Sequence, residues 1–282
     1  MKLRRKWEEK FFHGLSAVVT LVIVLVLVDL IWSIIAKGAS SLSWEVVSNS
    51  PKSAFYFGGE GEGGGFLNAI AGSFYLAISA VVVSFVVSLP VALFLNIYLL
   101  KYPKLLTACR FFLDVLWGIP SIVYGAFGYL ILMYLGYRNS LGAGIITVAT
   151  LISPIMIRAM DEVLKTIPIG LQEASYALGS TKTETAYKVF FRQAFPGLAT
   201  AVLLAFGRGI GDAASVLFTA GFTDLVPHKL SDPAATLPLF IYYQLQSPNE
   251  DLQNLAYAAS IVLTMIILIT SLTARFLKPK KY

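Results

Sequence analysis

Long apolar stretches separated by short polar ones dominate the 282-residue chain. A helix that crosses ~30 Å of hydrocarbon at about 1.5 Å per residue needs about 20 apolar residues. Six stretches meet or approach this length: residues 14–36, 66–100, 111–135, 141–160, 197–222 and 254–276. The pattern therefore predicts six transmembrane helices, of which 141–160 is the shortest.

The composition excludes an ordinary soluble domain. Hydrophobic residues make up 57% of the chain and charged residues only 13%, against about a quarter charged in soluble domains. The net charge of +6 does not indicate nucleic-acid binding, because the basic residues are dispersed at the ends of the apolar stretches, where they meet anionic lipid. Cys109 is the only cysteine, so no intrachain disulfide forms.

The Lys and Arg residues determine the predicted orientation, because cytoplasmic loops retain them. With the N-terminus in the cytoplasm, 17 of the 22 basic residues fall on the cytoplasmic side, four fall outside, and Arg208 lies within a stretch. Both termini are therefore predicted to be cytoplasmic. The first stretch is interpreted as a retained anchor, since it lacks a small-residue cleavage pattern and ends in bulky Trp32, Ile34 and Ile35.

The chain is predicted to have five parts. They are a cytoplasmic N-terminus (1–13), a first transmembrane helix (14–36), an external Gly-rich loop (37–65), a core (66–277) that contains a cytoplasmic loop (161–197), and a cytoplasmic tail (278–282). Within the core, the external loop 223–253 carries several prolines and an aromatic run, which favour a short helix at the membrane interface.

The cytoplasmic loop 161–197 is predicted to form a hairpin of two helices. Gly179 ends the first helix, because glycine adopts the left-handed conformation at a helix end without steric cost. Thr181 followed by Glu184 is a capping-box pattern that starts the second helix. The apolar faces comprise Leu171, Ala174 and Leu178 in the first helix, and Ala186, Val189 and Phe190 in the second.

The hairpin carries Glu173-Ala-Ser-Tyr-Ala-Leu-Gly179 and, after nine intervening residues, Val189-Phe-Phe-Arg-Gln-Ala-Phe-Pro-Gly197. This pattern resembles the EAA loop of ABC-importer permeases. The resemblance implies that 161–197 docks into a cleft on a separate ATPase subunit. It also assigns ATPase coupling to four residues, Glu173, Ala174, Ser175 and Gly179.

Two residues depart from the family pattern: Ser175 replaces the usual second alanine, and Arg192 stands where the family usually has proline. A Gly-x-x-x-x-Gly-Lys-Ser/Thr phosphate-binding loop is absent from the sequence, so the ATPase is expected to be another chain.

Further segments resemble one branch of these permeases, the A-type permease of phosphate importers, from about Gly63 to the C-terminus. They are 68–73, 118–125, 208–214, 217–220 and 236–238. The resemblance implies an all-α polytopic membrane protein with six transmembrane helices and a MetI-like permease core of the ABC type I importers. It also implies four kinds of binding partner: a second (C-type) permease subunit, two ATPase subunits, an external phosphate-binding protein and membrane lipid. The expected location is the inner membrane of a prokaryote, with no cofactor.

Arg208 lies near the middle of the fifth stretch, where a charge costs about 2.5–3.5 kcal/mol on insertion scales. Asp212, Ser215 and Thr219 follow at i+4, i+7 and i+11, which places all four residues on one stripe of a regular helix. Such a stripe is expected to face protein or water. A guanidinium presents a planar fork of donors that suits a tetrahedral oxyanion.

Two interpretations of this stripe are open. In the first, the four residues line the substrate pathway: Arg208 provides a transient site for phosphate, and Asp212 neutralises Arg208 in its absence. In the second, Arg208 and Asp212 form a structural pair that only orders the bundle.

Other functions remain as alternatives. A permease for sulfate, molybdate or a phosphonate would use the same arginine chemistry. An intramembrane hydrolase built on Asp212 would need a second acid–base or nucleophilic group, and the predicted spans offer no such pair. A signalling or scaffold protein would need no docking loop.

Overall fold

The computed structural model describes residues 2–51 and 64–277, with side chains from residue 9 onward. Within these ranges the secondary structure is helical, joined by turns and short extended links. Most of the predicted Gly-rich loop and all of the predicted tail 278–282 lie outside the described residues.

Eleven helices follow one another along the described ranges. They are α1 Lys2–Gly38, α2 Trp44–Ser48, α3 Leu67–Ile97, α4 Pro103–Gly118, α5 Ser121–Tyr134, α6 Leu141–Leu164, α7 Ile169–Ala177, α8 Lys182–Glu184, α9 Phe191–Ile210, α10 Leu237–Leu245 and α11 Glu250–Phe276. A π-helical turn, Thr185–Phe190, joins α8 to α9. The short helix predicted in the loop 223–253 is confirmed as α10.

Five uninterrupted helices are long and apolar enough to cross a membrane in the described part of the chain. A sixth span results if the bent pair α4 and α5 is taken as one. The predicted all-helical polytopic fold is therefore confirmed. The fourth span, α6, continues to Leu164, beyond the predicted end at residue 160.

The third span is not the single helix predicted for 111–135. It consists of α4 and α5, which meet at an angle of 90°. Ile119 is extended, with φ −71° and ψ 129°, because the proline ring after it disfavours the helical conformation. Pro120 then precedes α5 directly. Across the bend, the Tyr124 hydroxyl donates to the Leu116 carbonyl at 2.9 Å.

The centre of the bundle is formed by α3, α6 and α9, which share one cluster of buried apolar residues. The centre also contains polar contacts between helices: the Ser153 hydroxyl of α6 lies 3.0 Å from the Ser84 hydroxyl of α3. Small hydroxyl residues let helices approach closely and hydrogen-bond within hydrocarbon. The packed helices α3, α6 and α9 thus form the core against which α4 and α5 lie.

The two ends of the bundle differ. The hairpin end carries α7 and α8, and the loop end carries the segment 223–236. Lys37, near the end of α1, lies 3.3 Å from the Tyr257 hydroxyl in the first half of α11. Thr200, in the first half of α9, contacts the carbonyl of Ala274, near the end of α11. Helix α11 therefore begins at the loop end and finishes at the hairpin end, where α1 begins.

Candidate functional site

The fifth span does not continue to residue 222, as the sequence predicted. Helix α9 ends at Ile210, and a series of non-helical turns follows from Gly211 to Ala220. Glycines at 207, 209 and 211 weaken the helix here, since glycine costs about 1 kcal/mol relative to alanine in a helix interior. The carboxylate of Asp212 then accepts a hydrogen bond from the Ser215 backbone N–H at 2.8 Å, which stabilises a turn in place of another helical turn.

Arg208 and Asp212 form an ion pair at this helix end. Nη1 of Arg208 lies 3.4 Å from Oδ1 of Asp212. The two side chains differ in access, because that of Arg208 is 47% exposed and that of Asp212 only 3%. Asp212 is thus fixed from within the fold by its bond to Ser215, while the guanidinium remains available to a group from outside.

Ser215 and Thr219 do not share a helical stripe with Arg208. Both are fully buried, and the Thr219 hydroxyl donates to the Ser215 carbonyl at 3.0 Å. The Ser215 hydroxyl is buried and has no hydrogen-bond partner among the described residues. Hydrogen bonds therefore connect Asp212, Ser215 and Thr219 in one folded turn, and only Arg208 of the four is open.

The turn segment 211–220 starts beside the interior of α6, a helix long and apolar enough to cross a membrane. Gly209, next to Arg208, packs on Val148 and Ile152 of α6, and Val148 lies about 10 Å along α6 from its start at about 1.5 Å per residue. Irregular backbone at this depth is tolerated only where protein buries it or where it lines a water-filled cavity. This segment is therefore a candidate pathway element.

Helix α5 rests directly on the turn segment. A Cβ atom at Gly125 would lie 2.8 Å from the carbonyl oxygens of both Ala214 and Ser215. Only glycine permits this approach without moving one of the two backbones. The bent span thus contacts the backbone that holds Asp212 and Ser215.

Hydrogen bonds also tie the turn segment to the loop end. The Ser140 backbone N–H donates to the Thr219 carbonyl at 2.9 Å, and the Leu141 N–H donates to the Asp232 carbonyl at 2.7 Å. The Asp232 carboxylate accepts bonds from the N–H groups of His228 and Lys229, and these bonds lower the pKa of that carboxyl below its usual value. The start of α6 is therefore capped by an ordered turn of the loop.

The predicted hairpin at the other end is confirmed in its main features. Helix α7 ends before Gly179, whose φ is +82°. Thr181 and Glu184 form both bonds of the capping box at the start of α8. Ala186 and Phe190 are buried, as their predicted apolar face requires.

The predicted apolar face of the first hairpin helix points outward. Leu178 is 87% exposed, and Glu173, Ala174 and Gly179 are exposed as well. Ser175 instead is buried, and its hydroxyl lies 2.9 Å from the Thr185 hydroxyl, which is also buried. Of the four coupling candidates, Ser175 therefore joins the two arms of the hairpin, and the other three form its outer surface.

The hairpin is continuous with the fifth span. The chain runs as one 29-residue helical segment, Lys182–Ile210, from the capping box to the residues beside Arg208. Residue 197, the predicted boundary, lies inside α9, and the π-helical turn Thr185–Phe190 joins α9 to α8. At the base of the hairpin, the Tyr98 hydroxyl lies 2.8 Å from the Thr183 hydroxyl, which links the end of α3 to α8.

Sequence reasoning missed a cluster around Asp161, which belongs to α6 rather than to the hairpin. Its carboxylate is fully buried and contacts three cations and one amide: Arg110 at 2.8 Å, Arg158 at 2.9 Å, Lys165 at 3.0 Å and Asn96 at 2.8 Å. Arg158 and Lys165 were detectable, since they lie at helical spacing from Asp161. Arg110 and Asn96 are distant in sequence, and no local pattern indicates them.

The chain matches a known protein family over most of its length. Residues 88–281 match the family described as "Binding-protein-dependent transport system inner membrane component". The "Phosphate transport system permease protein PstA" of Pasteurella multocida is 32% identical over 281 residues, with 98% of this chain and 96% of the relative covered. The "Probable ABC transporter permease protein YqgI" of Bacillus subtilis is 30% identical over 295 residues, with 98% and 96% covered.

Among solved structures, an inward-facing MetNI methionine ABC transporter has a similar fold. The TM-score is 0.61 at 22% identity, and the match covers 76% of this chain and 96% of that one. This likeness supports the fold.

Proposed function

Because the chain belongs to the family of binding-protein-dependent transport system inner membrane components, we propose that it is the permease subunit of an ATP-driven importer of inorganic phosphate. The single observation that carries the anion assignment is the half-exposed guanidinium of Arg208 at the end of the apolar helix α9. The printed names of several relatives, which are phosphate transport permeases, support the same substrate.

The proposed complex contains a second permease subunit of the C type, two ATPase subunits and an external phosphate-binding protein. The outward-facing α7, with Leu178 at its end, is the proposed contact with the ATPase. The hairpin end is then cytoplasmic, which agrees with the distribution of Lys and Arg and places both termini in the cytoplasm. The loop end faces the binding protein.

Arg208 is proposed to exchange partners during transport. Without phosphate, Asp212 neutralises the guanidinium at 3.4 Å, a separation longer than that of a strong charge-assisted hydrogen bond. An arriving phosphate offers oxygens to both arms of the guanidinium fork and takes over the pairing. Because the backbone of Ser215 still donates to Asp212, the turn segment keeps its shape while the guanidinium is engaged.

The test is uptake of labelled phosphate by proteoliposomes that contain the assembled complex. We expect Arg208→Gln to lower uptake per complex at least about tenfold, since a hydrogen bond to a charged group contributes about 1.5–3 kcal/mol. Arg208→Lys should restore little, because an ammonium lacks the planar fork. Arg138→Gln, an exposed arginine in the turn between α5 and α6, is the matched control and should transport normally.

The structural-pair interpretation predicts a different outcome. Under it, Arg208→Gln and Asp212→Asn lose assembled complex to a similar degree, and the double variant recovers transport. Recovery of transport in the double variant would show that Arg208 is not needed on the substrate pathway. If unlabelled sulfate or molybdate at equal concentration inhibited the uptake of labelled phosphate, phosphate would not be the specific substrate. The assignment as an importer permease would still hold.

A further inference from the structure

The Asp161 cluster contains bonds of two kinds. Arg158 is on α6 with Asp161 and Lys165 directly follows that helix, so their ion pairs with Asp161 are local to the end of α6. Arg110 and Asn96 come from α4 and α3, and their bonds join three helices at the hairpin end. Arg110 binds with two nitrogens, Nε at 3.0 Å from Oδ2 and Nη2 at 2.8 Å from Oδ1. This bidentate geometry fixes direction as well as distance.

Helix α4 buries few apolar residues: only Leu106 and Leu113 of its 16 residues are buried. They belong to a small apolar cluster with Leu95, Leu99 and Ile157. Two ion pairs therefore contribute to the attachment of α4 to α6, the bidentate pair of Arg110 with the buried Asp161 and the pair of Asp114 with Arg158 at 2.7 Å.

The cluster is also next to the hairpin. Helix α6 ends at Leu164, three residues after Asp161, and α7 begins at Ile169. On the other side, α3 contributes Asn96 to the cluster and Tyr98 to the contact with Thr183 in α8. A displacement of the hairpin therefore acts on the ends of both α3 and α6.

The far end of α4 leads to the turn segment. The 90° bend connects α4 to α5, and Gly125 of α5 rests on the carbonyls of Ala214 and Ser215. A continuous series of packed elements thus runs from the hairpin through α4 and α5 to the backbone that holds Asp212.

The cluster is not built to bind an anion. Three cations face three carboxylates, because Asp114 lies 2.7 Å from Arg158 and Glu162 lies 2.7 Å from Lys165. The charges are matched and Asp161 is sealed from solvent. Its geometry suits a mechanical role better than a ligand site.

We propose that Arg110 and Asp161 are positioning residues that make α4 follow the hairpin, so that movement of the ATPase-docking end reaches the turn segment beside Arg208. The inference rests on the proposed function, since coupling requires that ATP drives transport. The buried bidentate pair is the joint, and Asn96 connects α3 to the same carboxylate.

The first test compares Arg110→Gln with Lys165→Gln in the reconstituted complex. Each removes one cation from Asp161 and leaves two, but of the two replaced residues only Arg110 belongs to α4; the pair of Asp114 with Arg158 is unchanged in both variants. We expect Arg110→Gln to lower phosphate uptake per ATP hydrolysed about tenfold, a size typical of coupling between sites, with ATP hydrolysis retained. Lys165→Gln should keep the wild-type ratio, and Arg110→Lys should recover part of it. An unchanged ratio of phosphate uptake to ATP hydrolysis in Arg110→Gln would contradict the proposed role of the Arg110 and Asp161 pair.

The second test does not depend on the transported anion. Leu105→Cys in α4 and Thr273→Cys in α11, both at exposed positions of the hairpin end, are introduced in a Cys109→Ser background and labelled with nitroxides. ATP binding should change the distance between the labels in the wild-type complex and in Lys165→Gln, but not in Arg110→Gln. A distance that stays constant in the wild type would overturn the proposal, even if Arg110→Gln fails to assemble. Absent phosphate uptake by the wild type, with the distance change present, would instead contradict the proposed substrate.

Discussion

At the scale of single residues, the hairpin depends on a polar contact that the sequence pattern did not indicate. Ser175 stands where related permeases usually have alanine, and it looks like a small change on the docking surface. Its hydroxyl is instead turned inward to Thr185. The substitution therefore concerns the internal rigidity of the hairpin rather than its contact surface.

Replacing one partner of this pair should destabilise the hairpin more than replacing both. Ser175→Ala leaves the buried Thr185 hydroxyl without its partner, which costs about 1–3 kcal/mol, whereas removing both polar groups can be nearly neutral. We expect the thermal midpoint of the purified complex to fall in Ser175→Ala and in Thr185→Val, and to recover in the double variant. Additive losses in the double variant would indicate that the two hydroxyls do not interact.

At the scale of elements, local features were predictable and distant ones were not. The capping box and the stop at Gly179 depend on residues within one helical turn, and both are confirmed. The end of α9 was missed, because an apolar stretch does not reveal that Asp212 caps a turn within it. The Asp161 cluster was missed because Arg110 is 51 residues away.

The bend at Ile119 and Pro120 was predictable in part, because it combines a local signal with a distant contact. Proline predicts a kink in a helix, yet its size depends on the packing of α5 on the turn segment. Sequence reasoning therefore found the helical bundle and the hairpin, and it identified Arg208 and Asp212 as a pair. It assigned Ser215 and Thr219 to the wrong geometry, since periodicity assumes a regular helix.

The corner of the hairpin provides a prediction for one element. Gly179 has a φ of +82°, and a residue with a Cβ atom costs about 1–2 kcal/mol in the left-handed conformation. We expect Gly179→Ala to lower phosphate uptake per ATP hydrolysed while the permease pair still assembles, and Gly179→Leu to lower it further. Gly14→Ala, in α1 with open space around it, is the matched control. Equal behaviour of the two alanine variants would exclude a requirement for this backbone conformation.

At the scale of the whole molecule, the described chain has its hairpin and the start of α1 at one end. The Lys and Arg distribution predicts that this end is cytoplasmic. Helix α1 contacts α11 near Lys37, yet its most apolar window has no buried residue in the chain alone. The isolated chain therefore leaves apolar surface for lipid and for other subunits.

Labelling of single cysteines tests this orientation. In a Cys109→Ser background, Leu230→Cys at the loop end should react with an impermeant thiol reagent in intact cells, because Leu230 is 65% exposed. Lys10→Cys and Lys104→Cys, exposed at the hairpin end, should react only after permeabilisation. Reaction of either in intact cells would contradict the proposed topology.

The contact of α5 with the turn segment also limits which substitutions this sequence can accept during evolution. Gly125 is the only buried residue of α5, and its Cβ position is occupied by two backbone carbonyls rather than by side chains that could rotate away. At Gly128 in the same helix, by contrast, an added Cβ would meet the side chains of Thr147 and Thr219, which can adjust. At Gly125 every inherited change must move a neighbouring backbone, so lineages that keep this crossing are expected to keep glycine there.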